Sequence, residues 1–284
     1  MKQAFYFYAN PYQPSSEAAA RALYECLLAQ GAKVYSLPWL AQKGVGTEMD
    51  EYALSDDIRA MVAFGGDGTL LRAAPLAARL GLPLMGVHTG TVGFLMHGDK
   101  KKPQETARLL LAQAYPLQVY PMLRVRFWQE EYLALNDVSL TRGEHPGIIR
   151  VQVEADGERV FCAHGDGAVI SSPLGATAYL LASGGPIVRP DVKCLLASPI
   201  CARELLLRPV VLPLEAKVTM AAQGDERRRL QLAIDGQILI PVEKEIRVEV
   251  EQAAETLMLL APDTNRFFQT LRLKQRLWNQ EEQE

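Results

Sequence analysis

Apolar and polar positions change rhythm part-way along this chain. Residues 4–8 are aromatic and β-prone, and residues 15–30 follow as an Ala- and Leu-rich stretch with Leu23 and Leu27 on one face and Gly31 as a stop signal. That is one βα unit. Residues 60–64 then run as a short apolar strand into Gly65-Gly66-Asp67-Gly68-Thr69. Residues 69–80 read as a helix kinked at Pro75, and 83–87 open another strand. Such alternation predicts a parallel sheet covered by helices on both faces.

From about residue 116 the period shortens to two. Leu123, Val125 and Phe127 alternate with Arg124, Arg126 and Trp128, and Ile149, Val151 and Val153 alternate with Arg150, Gln152 and Glu154. Asp156-Gly157, ahead of 159–162, is a hairpin signal. The same period returns in Ala216/Val218/Met220, Leu230/Leu232/Ile234 and Ile246/Val248/Val250, so this part is expected to be mostly β. Residues 265–278 carry Phe268, Leu271 and Leu277 at near-helical spacing and read as a closing helix that packs back on the first domain. The expected organisation is an α/β domain over 1–115 completed by a C-terminal helix within 262–284, and an all-β domain over 116–261, with a cleft between them.

A length of 284 residues fits two domains, and 49% apolar with 22% charged residues excludes collagen, coiled coil and disorder. Thirty Lys and Arg against thirty-three Asp and Glu give a net charge of -3, so no global positive field exists to hold nucleic acid or an anionic membrane. Cys26, Cys162, Cys194 and Cys201 show neither C-x-x-C pairing nor disulfide-scaffold density and read as free thiols in a reducing cytoplasm. The apolar run before Asn10 and Pro11 is too short for a secretion signal. The uncharged stretch 167–188 is broken by Pro173, Gly175, Gly184, Gly185 and Pro186, and reads as a loop-rich site segment rather than a membrane span.

Two constellations carry chemistry. In the first, three glycines around Asp67 remove every Cβ near a strand-to-helix turn, so a phosphate or ribose can lie against bare backbone with helix N–H groups aimed at it. A carboxylate there can accept a proton from an attacking hydroxyl or help place Mg2+. The plainer alternative is a tight turn in which Asp67 caps the helix. The second constellation, Ser171-Ser172-Pro173-Leu174-Gly175-Ala176-Thr177-Ala178-Tyr179 with Ser183-Gly184-Gly185-Pro186-Ile187-Val188 after it, gathers small, hydroxyl and glycine residues around one tyrosine. It suits a ribose, an amide or a phosphate, or else is a Gly/Pro loop between strands.

Taken together, GGDGTLLRAA, GVHTGTVGFL, Asn136-Asp137, His164-Gly165-Asp166-Gly167, SSPLGATAY with GGPIVRP, and Ile234-Asp235-Gly236-Gln237 resemble the NAD kinase family, in its order, over roughly residues 64–237. The resemblance implies an enzyme, a phosphotransferase with an alcohol acceptor that moves the γ-phosphoryl group of ATP to the 2'-hydroxyl on the adenosine ribose of NAD. Mg2+ accompanies the nucleotide, and inorganic polyphosphate is the donor some members use. The two-domain fold, with an active site in the interdomain cleft, a cytoplasmic location and a homodimer or homotetramer are implied as well. Residue by residue, Asp67 takes the place of the general base and Gly68 lines the substrate. Phe94 sits by adenine, and Arg72 either faces phosphates or is a solvated helix charge. Asn136 and Asp137 hold ribose or nicotinamide groups. Asp166, Thr177, Ala178, Tyr179 and Ala182 match the nucleotide-binding runs, and Gln237 closes the pocket.

Three departures stand out. Asp137 replaces the usual Glu and is one methylene shorter, so its contact to a ribose hydroxyl can become water-mediated. Leu174 and Ala176 replace two hydroxyl donors. Residues 202–209 alter the polar groups of a P-H-x-L-x-x-R-P pattern. His88, His97, His145 and His164 lack zinc-type spacing, so no structural metal is expected; the resemblance, in which a polar or basic residue often stands there, gives His164, two residues from Asp166, a claim to touch substrate. Glu226-Arg227-Arg228-Arg229 reads as a solvated hairpin tip. A lipid or sugar kinase of the GGDGT type and a catalytically silent NAD(H)-binding sensor are the competing functions.

Overall fold

The fold comes from a computed structural model, which describes residues 3–51, 57–90, 93–112, 116–144, 147–224, 229–261 and 267–281. The chain divides into two compact units, Met1–Val119 with Leu257–Glu284, and Tyr120–Thr256. In chain order the first unit holds β1 (Ala4–Ala9), α1 (Pro14–Leu28), β2 (Lys33–Ser36), α2 (Pro38–Gln42), β3 (Thr47–Glu48), β4 (Ile58–Gly65), α3 (Asp67–Arg79), β5 (Leu84–His88), β6 (Gly98–Asp99) and α4 (Pro103–Ala112). The elements that follow are β7 (Leu117–Phe127), β8 (Glu130–Ala134), β9 (Asp137–Arg142), β10 (Ile149–Ala155), β11 (Glu158–Gly165), β12 (Gly167–Ser171), a 3-10 turn (Leu174–Thr177), α5 (Tyr179–Ala182), β13 (Cys194–Ile200), β14 (Val210–Pro213), β15 (Val218–Gln223), β16 (Leu230–Ile234), β17 (Ile238–Val242) and β18 (Glu245–Leu260). The last element, α6 (Phe267–Glu281), returns to the first unit.

The first unit is built on parallel pairs in the order β5-β4-β1-β2-β3, with β6 and the end of β18 both pairing with β5. Its apolar strands are short and continuous because the sheet is covered; Phe5, Phe7, Val62 and Phe64 are buried together with Leu23 and Leu27 of α1. The connections leave β1 toward β2 and β4 toward β5, on opposite sides. The topological switch point therefore falls at the carboxyl ends of β1 and β4, the place where open α/β sheets take ligands. The helix after β4 runs on through Pro75, which gives up one backbone bond without ending it.

The second unit packs the antiparallel set β11-β10-β15-β18, with β7 and β8, against a six-stranded sheet ordered β14-β13-β12-β9-β16-β17. Their facing residues make one core: Leu123, Val125, Val151, Val153, Met220 and Val248 meet Val138, Leu140, Ile170 and Leu232. Every inward position marked by the period of two is buried. Asp156 and Gly157, at φ 52 and φ 83, make the tight turn between β10 and β11. The stretch 167–188 is not loop throughout, because residues 167–171 are a fully buried central strand. On the sheet's other face Ala176 and Leu180 bury against Val169, Cys194 and Leu196, which seats the 3-10 turn and α5.

Among the described residues no helix is long and apolar enough to cross a membrane. The four cysteines are free, with Cys194 buried and Cys201 exposed. Within α6 the inward face starts at half-buried Phe267 and continues to Leu271, buried as its spacing requires, whereas Phe268 is 50% exposed and falls outside the stripe. His145 and residues 226–228 lie outside the described residues; Arg229 is described and its carbonyl accepts the Gly143 N–H.

Candidate active site

Strand β4 delivers the chain to Gly66, which stands at the N-cap of α3 in extended conformation with no side-chain cap bond. Asp67 is therefore the first helical residue, and its carboxylate does not cap the helix. It turns to the segment after β5, where Oδ2 accepts the Phe94 N–H at 2.9 Å and Oδ1 the Leu95 N–H at 3.2 Å. Lys274 of α6 donates to Oδ2 at 3.0 Å. The side chains of this pair are 18% exposed for Lys274 and 27% for Asp67. Gly93 makes the approach possible, since a Cβ there would fall 1.9 Å from Oδ1.

The Phe94 ring lies under Lys274, whose Nζ is 4.4 Å from the ring centroid, and against Phe267 at 6.4 Å. Gly68 follows in the first turn, where helix N–H groups lack intrahelical partners. Arg72 is exposed, about 140° around the helix from Asp67, so the helix does not aim it with the carboxylate. His88 ends β5 with Nε2 at 3.8 Å from Asp99.

In the second unit the predicted residues fall at two ends of one sheet. Asp137 opens β9 opposite Ser171, which closes β12, and Ile234 pairs with Val138 beside them. Asp235 and Gly236, at φ 52 and φ 62, turn the chain from β16 into β17. The Asp235 carboxylate accepts three successive backbone N–H groups, from Leu135 at 2.8 Å, Asn136 at 2.7 Å and Asp137 at 3.1 Å. Asn136 thereby presents its carbonyl to Ser172, and a Cβ on Gly175 would lie 2.3 Å from that oxygen. The Asp137 carboxyl, 5% exposed, accepts the Tyr179 N–H at the start of α5. Burial, with the charge of Asp235 beside it, pushes Asp137 up to about 7. Burial pushes Asp235 up to about 6, against its three N–H donors. Gln237 is half-buried just beyond, its amide 3.5 Å from the Asp235 carbonyl.

At the opposite end, about 17 Å away along β9 by the rise of five residues, Asp166 pairs with Arg142 Nε at 2.7 Å. The His164 ring bonds Glu204 at 2.7 Å while its backbone N–H reaches the other carboxylate oxygen at 2.9 Å. That backbone donor, then the ring, holds the Glu204 carboxyl down at about 2. Tyr179 links the two ends: its backbone answers Asp137, and its phenol is raised by burial and then by Cys201, Asp166 and Asp137. Thr177 and Ala178 are half-buried on the same segment, and Ala182 is exposed.

Lys274, Arg142 and Glu204 were not singled out by sequence, and Asp235 stood only as one letter of the Ile234-Asp235-Gly236-Gln237 run, with no role of its own. Lys274 had a readable signal, for Phe267, Leu271 and Lys274 stand at i, i+4 and i+7, placing a cation on the buried stripe. Arg142 and Glu204 act through surface partners that leave no pattern in the letters.

The ATP-NAD kinase N-terminal domain model matches residues 5–115 and the ATP-NAD kinase C-terminal domain model residues 135–261. An NAD kinase of Heliobacterium modesticaldum is 36% identical over 219 residues, 75% of this chain and 77% of that protein. One from Geotalea daltonii is 30% identical over 275 residues, 94% and 96% of the two chains. Among solved structures, yeast NADH kinase complexed with NADH superposes with TM-score 0.85 at 23% identity, covering 95% of this chain and 86% of that one. An Archaeoglobus fulgidus NAD kinase in complex with ATP gives 0.76 at 22% identity, over 97% and 99%. These two show the two-domain fold, and with the matched models and relatives they place the chain: it belongs to the NAD kinase family of phosphotransferases.

Proposed function

We propose that this chain is an ATP-dependent NAD kinase in which Asp67 is the general base. The observation that carries the reading is the Asp67 carboxylate, set by two backbone N–H groups in a side-chain-free bend at the carboxyl end of a parallel sheet. It takes the proton from the adenosine 2'-hydroxyl of NAD as that oxygen attacks the γ-phosphorus of ATP, and the bond to ADP breaks. Positioning supplies most of the rate. Gly68 offers bare backbone to the sugar and the Phe94 ring a face for adenine. In the second unit Asn136, Asp137, Thr177, Ala178, Tyr179, Ala182 and Gln237 bind the dinucleotide, with His164 and Asp166 at its polar or phosphate groups; Arg72 of the first unit meets a phosphate only if it swings from the exposed face of α3.

Among the described residues no group of three or more His, Cys, Asp or Glu side chains is arranged to hold a metal ion. Mg2+ would be carried on phosphate oxygens and water, as a hard and strongly hydrated ion prefers, where its charge would screen the phosphates. Four free thiols suit a reducing cytoplasm, and Leu205 and Leu206, 83% and 91% exposed, offer the β unit an apolar contact for a homodimer or homotetramer. A monomer by light scattering at micromolar concentration would remove the oligomer.

Turnover with NAD, ATP and Mg2+ tests the activity, with NADP and ADP expected in equal amounts. Tight NAD binding without NADP would identify a sensor, and phosphorylation of diacylglycerol alone a lipid kinase. Polyphosphate in place of ATP settles the donor.

A further inference from the structure

We propose that Lys274 is a positioning residue for Asp67, fixing both the carboxylate and the segment that bonds it; this rests on the NAD kinase reading above. Lysine is seldom buried without a partner, and the partners here are two. The ammonium donates to Asp67 Oδ2 and sits over the Phe94 ring, while the Phe94 N–H donates to that same oxygen. One side chain thus clamps the acid and the residue that orients it. A carboxylate offers about four acceptor positions. Among the described residues three are taken, by Phe94, Leu95 and Lys274, and one is left for the proton of a substrate hydroxyl. Without the ammonium, Oδ2 loses one of its two donors and the Phe94 segment loses its cation. A general base must hold its acceptor within about 3 Å of the proton it takes, and a 1 Å misplacement can cost on the order of a hundredfold in rate.

The alternative is an ion pair that merely ties α6 down. Kinetics of K274M, K274A and K274R, with thermal melts, separate the two. K274M keeps an apolar stem on Phe94 and removes the charge; kcat is expected to fall about 10- to 100-fold with KM for NAD within about threefold. K274R is expected to recover at least about tenfold of that loss, and added methylammonium to restore K274A saturably. On a D67N background K274M should cost less than about twofold, because the group it acts through is already altered. A K274M enzyme turning over within twofold of wild type overturns the proposal and leaves the NAD kinase reading standing. So does a loss that tracks the melting temperature and that neither Arg nor methylammonium repairs. A second readout needs no turnover: the Phe94 and Leu95 amide resonances should move in K274M as they do in D67N. Amides that stay put in K274M sink the proposal even if the wild type makes no NADP.

Discussion

Asp67 in the first unit and Asp235 in the second are both carboxylates met by successive backbone N–H groups, yet their surroundings differ in two respects. Asp67 has two N–H donors and an ammonium, and its side chain keeps 27% of its surface. Asp235 has three N–H donors, is buried, and has a second acid, Asp137, beside it in place of a cation. Burial drives both acids of that pair toward their neutral forms. Asp235, with all three of its donors on one loop, is a brace, fixing where Asn136 and Asp137 stand. An acid that keeps a solvent-facing edge and a compensating charge can still meet a substrate. Backbone donors alone do not mark a catalytic carboxylate; the charge and the opening beside them do.

Substitutions at the acids pull the comparison apart. Asp67→Asn should keep the fold while lowering kcat by roughly 10² or more, measured by NADP formation at saturating NAD and ATP. Turnover near that of wild type would remove the base role. Asp235→Ala should act on stability instead, leaving three buried N–H groups without an acceptor at a cost of about 3 kcal/mol, read from denaturant unfolding. If it unfolds like wild type, the brace is not bearing load.

The buried pair also makes a prediction about pH. Asp137 and Asp235 bind protons more tightly folded than unfolded, so their contribution to stability is fully present below the usual carboxylate range. It is lost as pH rises through about 6 and about 7, the two values that burial gives them. Asp137→Asn should flatten that decline, by on the order of 2 kcal/mol between acid and neutral pH, in melts across the range. An equal slope in the variant would place the proton elsewhere. The smallest effect is expected at Arg142→Gln. Its pair with Asp166 is more than a third exposed on both sides, so stability should change by under about 1 kcal/mol.

Much of this architecture was readable from the letters because burial on one face writes a period. Leu123, Val125, Phe127, Ile149, Val151 and Val153 all point into the core of the second unit as their alternation requires. Strand β13 left no such trace, since each of its residues is buried and a strand covered on both sides has nothing to alternate with. The GGDGT turn was legible in its position and glycines but not in its partners. Asp67 is oriented by amides of Phe94 and Leu95, which any residue supplies, and by a lysine far along the chain. In α6 Leu271 is buried as read but Phe268 is not, because adjacent Phe267 and Phe268 compete for the same stripe and only packing chooses between them. Asp137 is legible as a substitution for Glu, but its burial under α5 is a tertiary fact.

The cation that meets Asp67 lies 207 positions further along the chain. During synthesis the glycine-rich bend around Asp67 is made early, and the ammonium that meets it leaves the ribosome only after the whole β unit has been translated. A nascent or prematurely terminated polypeptide therefore carries Asp67 without the ammonium that meets it in the full fold.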